Sequence, residues 1–285
     1  MFQVKDLFFR YPSNDEDTLK GITFTIEDGE IFGLLGPSGV GKSTTQKILV
    51  KLLDRYRGEI LYNGKDLRAY DRDFYQQVGV GFEMPVHFSK LTARENLEFF
   101  GKLYDQRIDI EQTMERLGLL TDLDKPVAEY SRGMKVRLNF ARAILNKPRM
   151  LFLDEPTAGL DPKNARIIKD IIREFRGDGG TVLLTTHLMN DVDELCDRIA
   201  FMVDGRITET DSPKNLKMVY GERKVKIEYL SVDGEQLEAE FDLDSLGEEE
   251  EFMEIIQNRK LLTIHSGETT LDDIFIKVTG VGKYE

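Results

Sequence analysis

The segment that most constrains this chain runs from residue 36 to residue 43 and has the sequence Gly-Pro-Ser-Gly-Val-Gly-Lys-Ser. It fits the pattern G-x-x-x-x-G-K-[ST] at every fixed position. Its three glycines let the backbone curl tightly and bring amide groups close to an anion. Lys42 supplies a positive charge for the outer phosphates, and the Ser43 hydroxyl can ligate a phosphate-bound magnesium ion. We therefore predict a phosphate-binding loop made of Gly36, Pro37, Ser38, Gly39, Val40, Gly41, Lys42, Ser43 and Thr44.

The sequence on both sides of this loop supports the same prediction. Residues 31–35 form a short apolar run that predicts a buried strand, and residues 43–53 carry apolar side chains at helical spacing. The loop would then join a strand to the N-terminus of a helix, where the helix dipole favours a phosphate group. This context disfavours the alternative, an ordinary glycine-rich turn between a strand and a helix.

Composition limits the class of protein. The chain has 285 residues, with 39 Lys and Arg against 52 Asp and Glu, so its net charge is −13. Such an acidic chain is a poor candidate for non-specific binding of nucleic acid. The single cysteine, Cys196, cannot form an internal disulfide and lies in an apolar helical pattern, so we expect it in the core. No apolar run approaches the roughly 20 residues that span a bilayer, and no signal peptide is expected. A partner would therefore provide any membrane-spanning part.

The order of predicted elements indicates an α/β fold followed by an appendage. Strands are predicted at residues 2–9, 19–26, 58–62 and 78–82, and helical patterns at 92–120 and 131–145. From residue 150 to residue 203 strands and helices alternate, which favours a parallel sheet covered by helices. Near residue 211 the character changes. The predicted elements there are strands at 224–229, 237–243 and 261–265, an acidic amphipathic helix at 248–258, and a final helix that starts at a capping box at 270–273. So small an α+β unit lies near the lower limit for folding alone.

Two strand ends carry candidate catalytic residues. The apolar residues 150–153 are followed by Asp154 and Glu155, and the apolar residues 182–186 are followed by His187. In a parallel sheet, ligands bind at the carboxyl ends of the strands. Asp154 can therefore hold the shell of a magnesium ion, and Glu155 can orient or deprotonate an attacking water. His187 would lie within reach of a γ-phosphate, whereas His87 and His265 are interpreted as structural or surface residues.

These motifs, in this order, resemble the nucleotide-binding subunit of an ATP-binding-cassette (ABC) transporter over roughly residues 2 to 215. The signature segment, Tyr130-Ser131-Arg132-Gly133-Met134, matches the usual Leu-Ser-Gly-Gly-Gln at its serine and second glycine. Residues 158–161, Ala-Gly-Leu-Asp, match the D-loop. His187 matches the switch histidine, and Tyr11 matches the aromatic residue that stacks on adenine.

The resemblance implies a P-loop NTPase cassette with a parallel core sheet, an antiparallel β subdomain and a helical subdomain at about residues 84–145. It implies an ATP-binding domain at residues 1–215 and, after it, a C-terminal accessory or dimerisation domain at residues 222–285. ATP and Mg²⁺ are the expected ligands, with Ser43, Asp154 and Glu83 at the metal and Glu155, His187 and Glu83 as catalytic residues. Two ATP molecules would be sandwiched in a head-to-tail dimer, in which Ser131, Gly133 and Asp161 serve the shared site. Hydrolysis would then require dimerisation.

The implied partners are a membrane-spanning transporter subunit and a second cassette, either a copy of this chain or a different one. The implied location is cytoplasmic, peripheral on the inner face of the cell membrane. Three positions depart from the usual pattern: Glu83 stands where the Q-loop normally has glutamine, Arg132 replaces the first signature glycine, and Met134 replaces the signature glutamine. The signature segment and the tail at residues 270–280 resemble drug-exporter cassettes, which favours an exporter over an importer.

Two other functions compete with an export ATPase. A non-transport cassette ATPase is disfavoured because translation-type members resemble tandem cassettes and repair-type members carry long coiled-coil insertions, and neither pattern occurs in this sequence. A non-catalytic regulatory cassette is disfavoured because Lys42, Asp154, Glu155 and His187 are all present. We also expect the helical segment at 92–130 to dock the membrane partner through the edge at residues 84–91. The appendage is expected to support dimer contacts or to tune coupling to the membrane subunit.

Overall fold

The computed structural model describes residues 1–84, 86–222, 224–267 and 269–280, and the chain divides into two units, Met1–Ser212 and Pro213–Glu285. The first unit contains two sheets and most of the helices. Its first sheet is antiparallel, in the order β2-β1-β4-β5. The strands are β1 (Phe2–Phe9), β2 (Leu19–Ile26), β4 (Arg57–Tyr62) and β5 (Lys65–Asp66). Asn63 and Gly64, both with positive φ, close the β4–β5 hairpin, as expected of an Asn-Gly turn.

The second sheet has six strands in the order β10-β9-β3-β8-β7-β6. Its strands are β3 (Ile31–Leu35), β6 (Val78–Gly81), β7 (Met150–Asp154), β8 (Thr181–Thr186), β9 (Arg198–Val203) and β10 (Arg206–Asp211). All of its neighbouring pairs are parallel except β9–β10, which is antiparallel. β3, β7 and β8 are buried along their whole length, which is typical of a parallel sheet covered on both faces.

The helices of the first unit cover this sheet and build the helical segment. They are α1 (Lys42–Leu49), α2 (Asp73–Gln77), α3 (Ala93–Gly101), α4 (Ile110–Arg116), α5 (Arg132–Ala143), α6 (Pro162–Gly177) and α7 (Met189–Leu195). The single helical pattern expected at residues 92–120 is wrong in one respect: it is divided into α3 and α4. Thr92 caps α3 in a reciprocal capping box with Glu95, and Asp109 caps α4 by accepting a hydrogen bond from the Gln112 amide.

The core of the first unit lies between the two sheets. Phe2 of β1 packs edge-on against Phe152 of β7, with ring centroids 5.7 Å apart. Phe24 of β2 stacks on Phe32 of β3 at 5.5 Å. On β6, a Cβ atom at Gly79 would lie 1.8 Å from the Ala143 carbonyl oxygen, so α5 packs directly on the backbone of this strand. The predicted parallel sheet, antiparallel subdomain and helical segment are thus confirmed.

The second unit contains a three-stranded antiparallel sheet in the order β12-β11-β13. Its elements are α8 (Pro213–Tyr220), β11 (Lys224–Leu230), β12 (Gln236–Asp242), α9 (Glu250–Asn258), β13 (Lys260–Gly267) and α10 (Leu271–Thr279). Ile227, Phe241 and Phe252 belong to its small buried cluster. α8 and α10 lie against each other, and the Lys277 ammonium on α10 donates to the Tyr220 carbonyl at 3.1 Å. In the described part of the whole chain, no helix has the length and apolar character needed to cross a membrane.

Candidate active site

The loop that follows β3 adopts backbone conformations that favour glycine. Gly39 and Gly41 have φ values of 86° and 112°. A Cβ atom at Gly41 would lie 2.6 Å from a Leu19 methyl carbon, and one at Gly36 would lie 2.1 Å from the Met202 carbonyl oxygen. The chain therefore needs glycine at Gly36 and Gly41 to pass between these neighbours and enter α1, whose first residue is Lys42.

Lys42 is buried at the base of this loop. Its ammonium group donates hydrogen bonds to the carbonyl oxygens of Gly36 at 2.6 Å and Pro37 at 2.9 Å. Burial lowers the pKa of Lys42 from its usual value, and the negative charges of Glu155, Asp154 and Glu83 oppose this shift. The loop thus holds a desolvated cation close to three carboxylates.

The two carboxylates at the end of β7 are held by the end of β8. The Thr185 hydroxyl donates a short hydrogen bond to Asp154. Glu155 accepts from the Thr186 hydroxyl at 2.8 Å and from the His187 amide at 3.0 Å, and its Oε1 lies 2.7 Å from the His187 Nδ1. Both carboxylates are buried, so these contacts fix their orientation.

Glu155 also has a backbone conformation that is unusual for a residue with a side chain. Its φ is 50°, in the left-handed region, and its amide donates to the Thr185 carbonyl at 2.8 Å. Strained residues of this kind persist where the surrounding structure over-determines them, and they cluster at active sites. The backbone and the side chain of Glu155 are therefore both fixed by neighbouring β8.

One cavity of about 200 Å³ brings together most of the predicted residues. It is lined by Ser38, Gly39, Gly41, Lys42, Ser43, Thr44, Glu83, Asp154, Glu155 and His187. Glu83 enters the cavity just beyond the end of β6. A larger cavity of about 750 Å³ at the amino ends of β7 and β8 contains none of the predicted site residues in its lining. The predicted site residues therefore gather at the smaller cavity, at the carboxyl ends of the strands.

Besides Gly36 and Pro37 at the start of the loop, the predicted nucleotide residues outside the cavity lining fall into two groups. Tyr11 is next to the cavity, since its hydroxyl lies 3.2 Å from the hydroxyl of Thr44. Val40 packs against the core beside the loop. Ser131, Gly133 and Asp161 do not line the cavity. They belong to the signature segment and the D-loop.

The signature segment and the D-loop lie next to each other. Ser131 caps α5 by accepting a hydrogen bond from the Met134 amide at 3.3 Å. Asp161 caps α6 by accepting from the amides of the second and third residues of that helix, both at 3.1 Å. A Cβ atom at Gly133 would lie 3.3 Å from Leu160, and one at Gly159 would lie 3.3 Å from the Arg132 Nε. These residues form a second surface of the same unit.

Sequence reasoning missed the residues that hold the carboxylates and connect the cavity to the signature helix. Thr185 and Thr186 are the last residues of β8, and two hydroxyl residues directly before His187 were a usable signal. The Asn139 side chain, on α5, donates to the Phe82 carbonyl at 2.8 Å. This hydrogen bond ties the segment that carries Glu83 to the helix that begins at the signature segment.

Two protein-family models match this chain, one in each of its two units. Residues 19–158 match the family described as ABC transporter, and residues 223–268 match the fluoroquinolone efflux ABC transporter C-terminal domain. A fluoroquinolones export ATP-binding protein of Mycobacterium tuberculosis is 48% identical over 281 residues, which cover 98% of this chain and 93% of that protein.

Two solved structures share the fold. One, an ATP binding subunit of an ABC transporter, is 28% identical with a TM-score of 0.69 over 76% of this chain and 92% of that one. The other is a dimeric ATP-binding cassette in a post-hydrolysis state bound to ADP and Pi. It is 26% identical with a TM-score of 0.67, over 74% of this chain and 98% of that one. The expected cassette fold is thereby confirmed.

Of the three histidines, His87 has an environment that lowers the pKa of its imidazole. Its Nε2 lies 3.2 Å from the Lys135 carbonyl oxygen on α5. Burial lowers its pKa to about 4, and the nearby charges of Arg142 and Lys135 act in the same direction. His265, on β13, is exposed.

We predict that the first unit loses stability in acid because of His87. A histidine whose pKa is lowered on folding contributes its full stability above its unfolded pKa, about 6.5, and loses it as the pH falls towards 4. Between pH 7.5 and pH 5 this amounts to about 2 kcal/mol. Urea unfolding at both pH values measures it. His87→Gln keeps a donor for the Lys135 carbonyl and should remove most of the difference, whereas the control His265→Gln should leave it unchanged. An equal acid loss in His87→Gln would contradict the assignment.

Proposed function

The chain belongs to the ABC transporter family, as an ATP-binding and ATP-hydrolysing export subunit, and from this premise we propose which residues perform the reaction and which partners it takes. The non-transport alternative is not favoured, because the related proteins are named as export or transport proteins. The observation that carries the assignment of roles is the shared cavity, in which the phosphate loop faces Asp154, Glu155 and His187.

The phosphate loop and Tyr11 bind the nucleotide. The amides of the loop and the first turn of α1 surround the β- and γ-phosphates, and Lys42 exchanges the carbonyls of Gly36 and Pro37 for phosphate oxygens. Tyr11, held beside Thr44, stacks on the adenine ring. Nucleotide binding would therefore use a cation that the loop carbonyls already hold in place.

Glu155 is the catalytic carboxylate. It orients a water molecule towards the γ-phosphorus and accepts its proton as the bond to the β-phosphate oxygen breaks, which yields ADP and phosphate. Its hydrogen bonds from Thr186 and from the His187 amide prevent it from turning away. His187, exposed directly after β8, orients the γ-phosphate and the water.

The donor set of the cavity fits Mg²⁺. Ser43, Asp154 and Glu83 offer oxygen atoms, the ligand type that Mg²⁺ prefers. The described residues contain no group of three or more His, Cys, Asp or Glu side chains that could hold a metal alone. This suits an ion bound through one or two side chains plus substrate phosphates. When bound, Mg²⁺ would neutralise phosphate charge, while Thr185 keeps Asp154 turned towards it.

Ser131, Gly133 and Asp161 act on ATP bound by a second cassette subunit. They do not line the cavity of their own chain, and the N-terminus of α5 presents free amides and a positive dipole at the signature segment. Two subunits arranged head to tail would sandwich two ATP molecules between the phosphate loop of one and the signature segment of the other. The dimeric cassette with ADP and Pi supports this arrangement by similarity.

The membrane-spanning partner docks on the edge that follows Glu83, at the inner face of the membrane. Three apolar side chains are exposed there: Met84 at 80%, Val86 at 76% and Phe88 at 46%. Exposed apolar patches of this kind mark interaction sites. Because Asn139 ties the preceding residue, Phe82, to α5, a movement at the cavity would reach this edge. The relatives' names and the matched C-terminal domain point to cargo of the fluoroquinolone class.

Glu155→Gln should lower ATP turnover by roughly 10² to 10⁴ while ATP still binds, because the amide keeps the shape but cannot accept the proton. In cells, fluoroquinolone efflux should fall with it, and the ATP-bound dimer should accumulate. Steady-state phosphate release and sedimentation with ATP measure both effects. Glu59→Gln, at an exposed position on β4, serves as the control and should turn over normally. Near-normal turnover by Glu155→Gln would rule out its role.

A cysteine at position 86 should cross-link to the membrane subunit. The only native cysteine, Cys196, is buried, so the new thiol is the accessible one. With a short bifunctional thiol reagent in membranes, we expect a covalent product for Val86→Cys that is absent for the control Leu52→Cys, which is 60% exposed at the end of α1. Products from Leu52→Cys alone would contradict docking at the edge that follows Glu83.

The C-terminal unit supports ATP-dependent dimerisation. It carries its own small core and none of the cavity residues, so removal of residues 222–285 should leave ATP binding intact. In the Glu155→Gln background, the same deletion should weaken dimerisation, measured by sedimentation with ATP. Unchanged dimerisation together with unchanged transport would contradict this prediction and leave the unit with a structural role only.

A further inference from the structure

Two charged residues of opposite sign in the first unit stand where the cassette pattern has neutral residues. Glu83 replaces the Q-loop glutamine and Arg132 replaces the first signature glycine. Neither side chain makes a hydrogen bond or an ion pair with any residue in the described part of the chain. The cavity thus carries one additional acid, and the signature segment carries one additional base. Both require an explanation.

Glu83 makes the cavity unfavourable for a polyanion. Its carboxylate shares the cavity with Asp154 and Glu155, and Lys42 is the one lysine or arginine among the described residues of the lining. All three carboxylates act on the Lys42 charge. A neutral glutamine at this position would leave one negative charge fewer beside the γ-phosphate. A Mg²⁺ ion bound partly by Glu83 would offset some of this charge, and besides Lys42 the described lining offers no lysine or arginine to offset the rest.

Arg132 is available to supply a further cation. It is exposed in the first turn of α5, between Ser131 and Gly133. Its guanidinium lies over Gly159 of the D-loop, where a Cβ atom would be 3.3 Å from Nε and 3.4 Å from Cζ. The side chain is thus positioned at the surface that faces a second subunit in the proposed dimer. A guanidinium fork matches a carboxylate in a two-point hydrogen-bonded pair.

We propose that Arg132 of one subunit pairs with Glu83 of a second copy of this chain when the dimer closes on ATP. This inference rests on the proposed head-to-tail dimer. In a two-fold arrangement the pair forms twice, once at each ATP. A partner with the usual glutamine and glycine would leave both charges unpaired. The pair therefore selects a copy of the same chain as the partner.

Pairing within one chain is the competing arrangement. Val136 lines a small crevice with Glu83, and Arg132 lies one turn before it on the same helix. The two charged side chains are nevertheless not joined in the described structure. The experiment must therefore separate a pair formed within one chain from a pair formed between two chains.

The experiment is a double-mutant cycle in the Glu155→Gln background, with ATP-dependent dimerisation measured by sedimentation and ATP binding measured separately. Each pair should contribute roughly fivefold to dimerisation, the upper end for exposed ion pairs. With two pairs per dimer, Arg132→Ala should weaken dimerisation roughly 25-fold more when residue 83 is Glu than in the Glu83→Gln background. The control Lys163→Ala removes an exposed charge beside the D-loop and should act equally in both backgrounds.

Mixing the two single variants locates the pair. A heterodimer of the Glu83→Gln and Arg132→Ala chains keeps one Arg132–Glu83 pair only if the pair forms between chains. After the twofold statistical preference for a heterodimer is divided out, it should be roughly fivefold tighter than the geometric mean of the two homodimers. A heterodimer at the geometric mean after that division, or additive effects in the cycle, overturns the proposal. Failure of the Glu155→Gln parent to dimerise with ATP would instead overturn the head-to-tail dimer, and the pair with it.

Discussion

The register of three parallel strands fixes the position of the groups in the cavity. β8 pairs with β3 on one side and with β7 on the other, so that Thr186 stands opposite Leu35 and Thr185 opposite Asp154. Gly36 follows Leu35 directly, and the phosphate loop therefore leaves the sheet at the edge where the carboxylates end. A shift of β8 by one residue would turn its side chains to the other face. The two threonine hydroxyls would then leave the carboxylates that they hold.

Much of this edge could be predicted from the sequence, because buried parallel strands are continuous apolar runs whose carboxyl ends hold ligands. That rule located Asp154 and Glu155 without any structure. It did not find the role of Thr185 and Thr186, because threonine is also an ordinary strand residue. The left-handed backbone of Glu155 has no signal in its residue type, since it results from the hydrogen bond to β8. Local pattern thus places the two candidate carboxylates at this edge but does not show what holds them.

The signature segment shows a second limit to what the sequence can predict. Its serine before a helical pattern correctly indicated the cap on α5. The apolar spacing of residues 92–120 was misleading, since it continued across the break where Asp109 starts a new helix. Where Ser131 and Gly133 stand relative to the phosphate loop depends on packing between distant parts of the chain and, in the proposed dimer, on a second subunit. Neither is encoded in a short window of sequence.

The charge balance of the cavity links nucleotide binding to dimerisation. One buried ammonium, Lys42, faces three carboxylates before any phosphate enters. ATP adds several negative charges, and burial of unpaired charge is costly. The loop amides and a phosphate-bound Mg²⁺ would offset part of this cost, and the N-terminus of α5, on the surface that carries Arg132, offers further positive potential. In the proposed head-to-tail dimer, that surface of one chain would meet the ATP bound by the other chain. ATP would therefore bind the dimer more tightly than the monomer and stabilise it by mass action, whereas ADP, with less charge to neutralise, would release it.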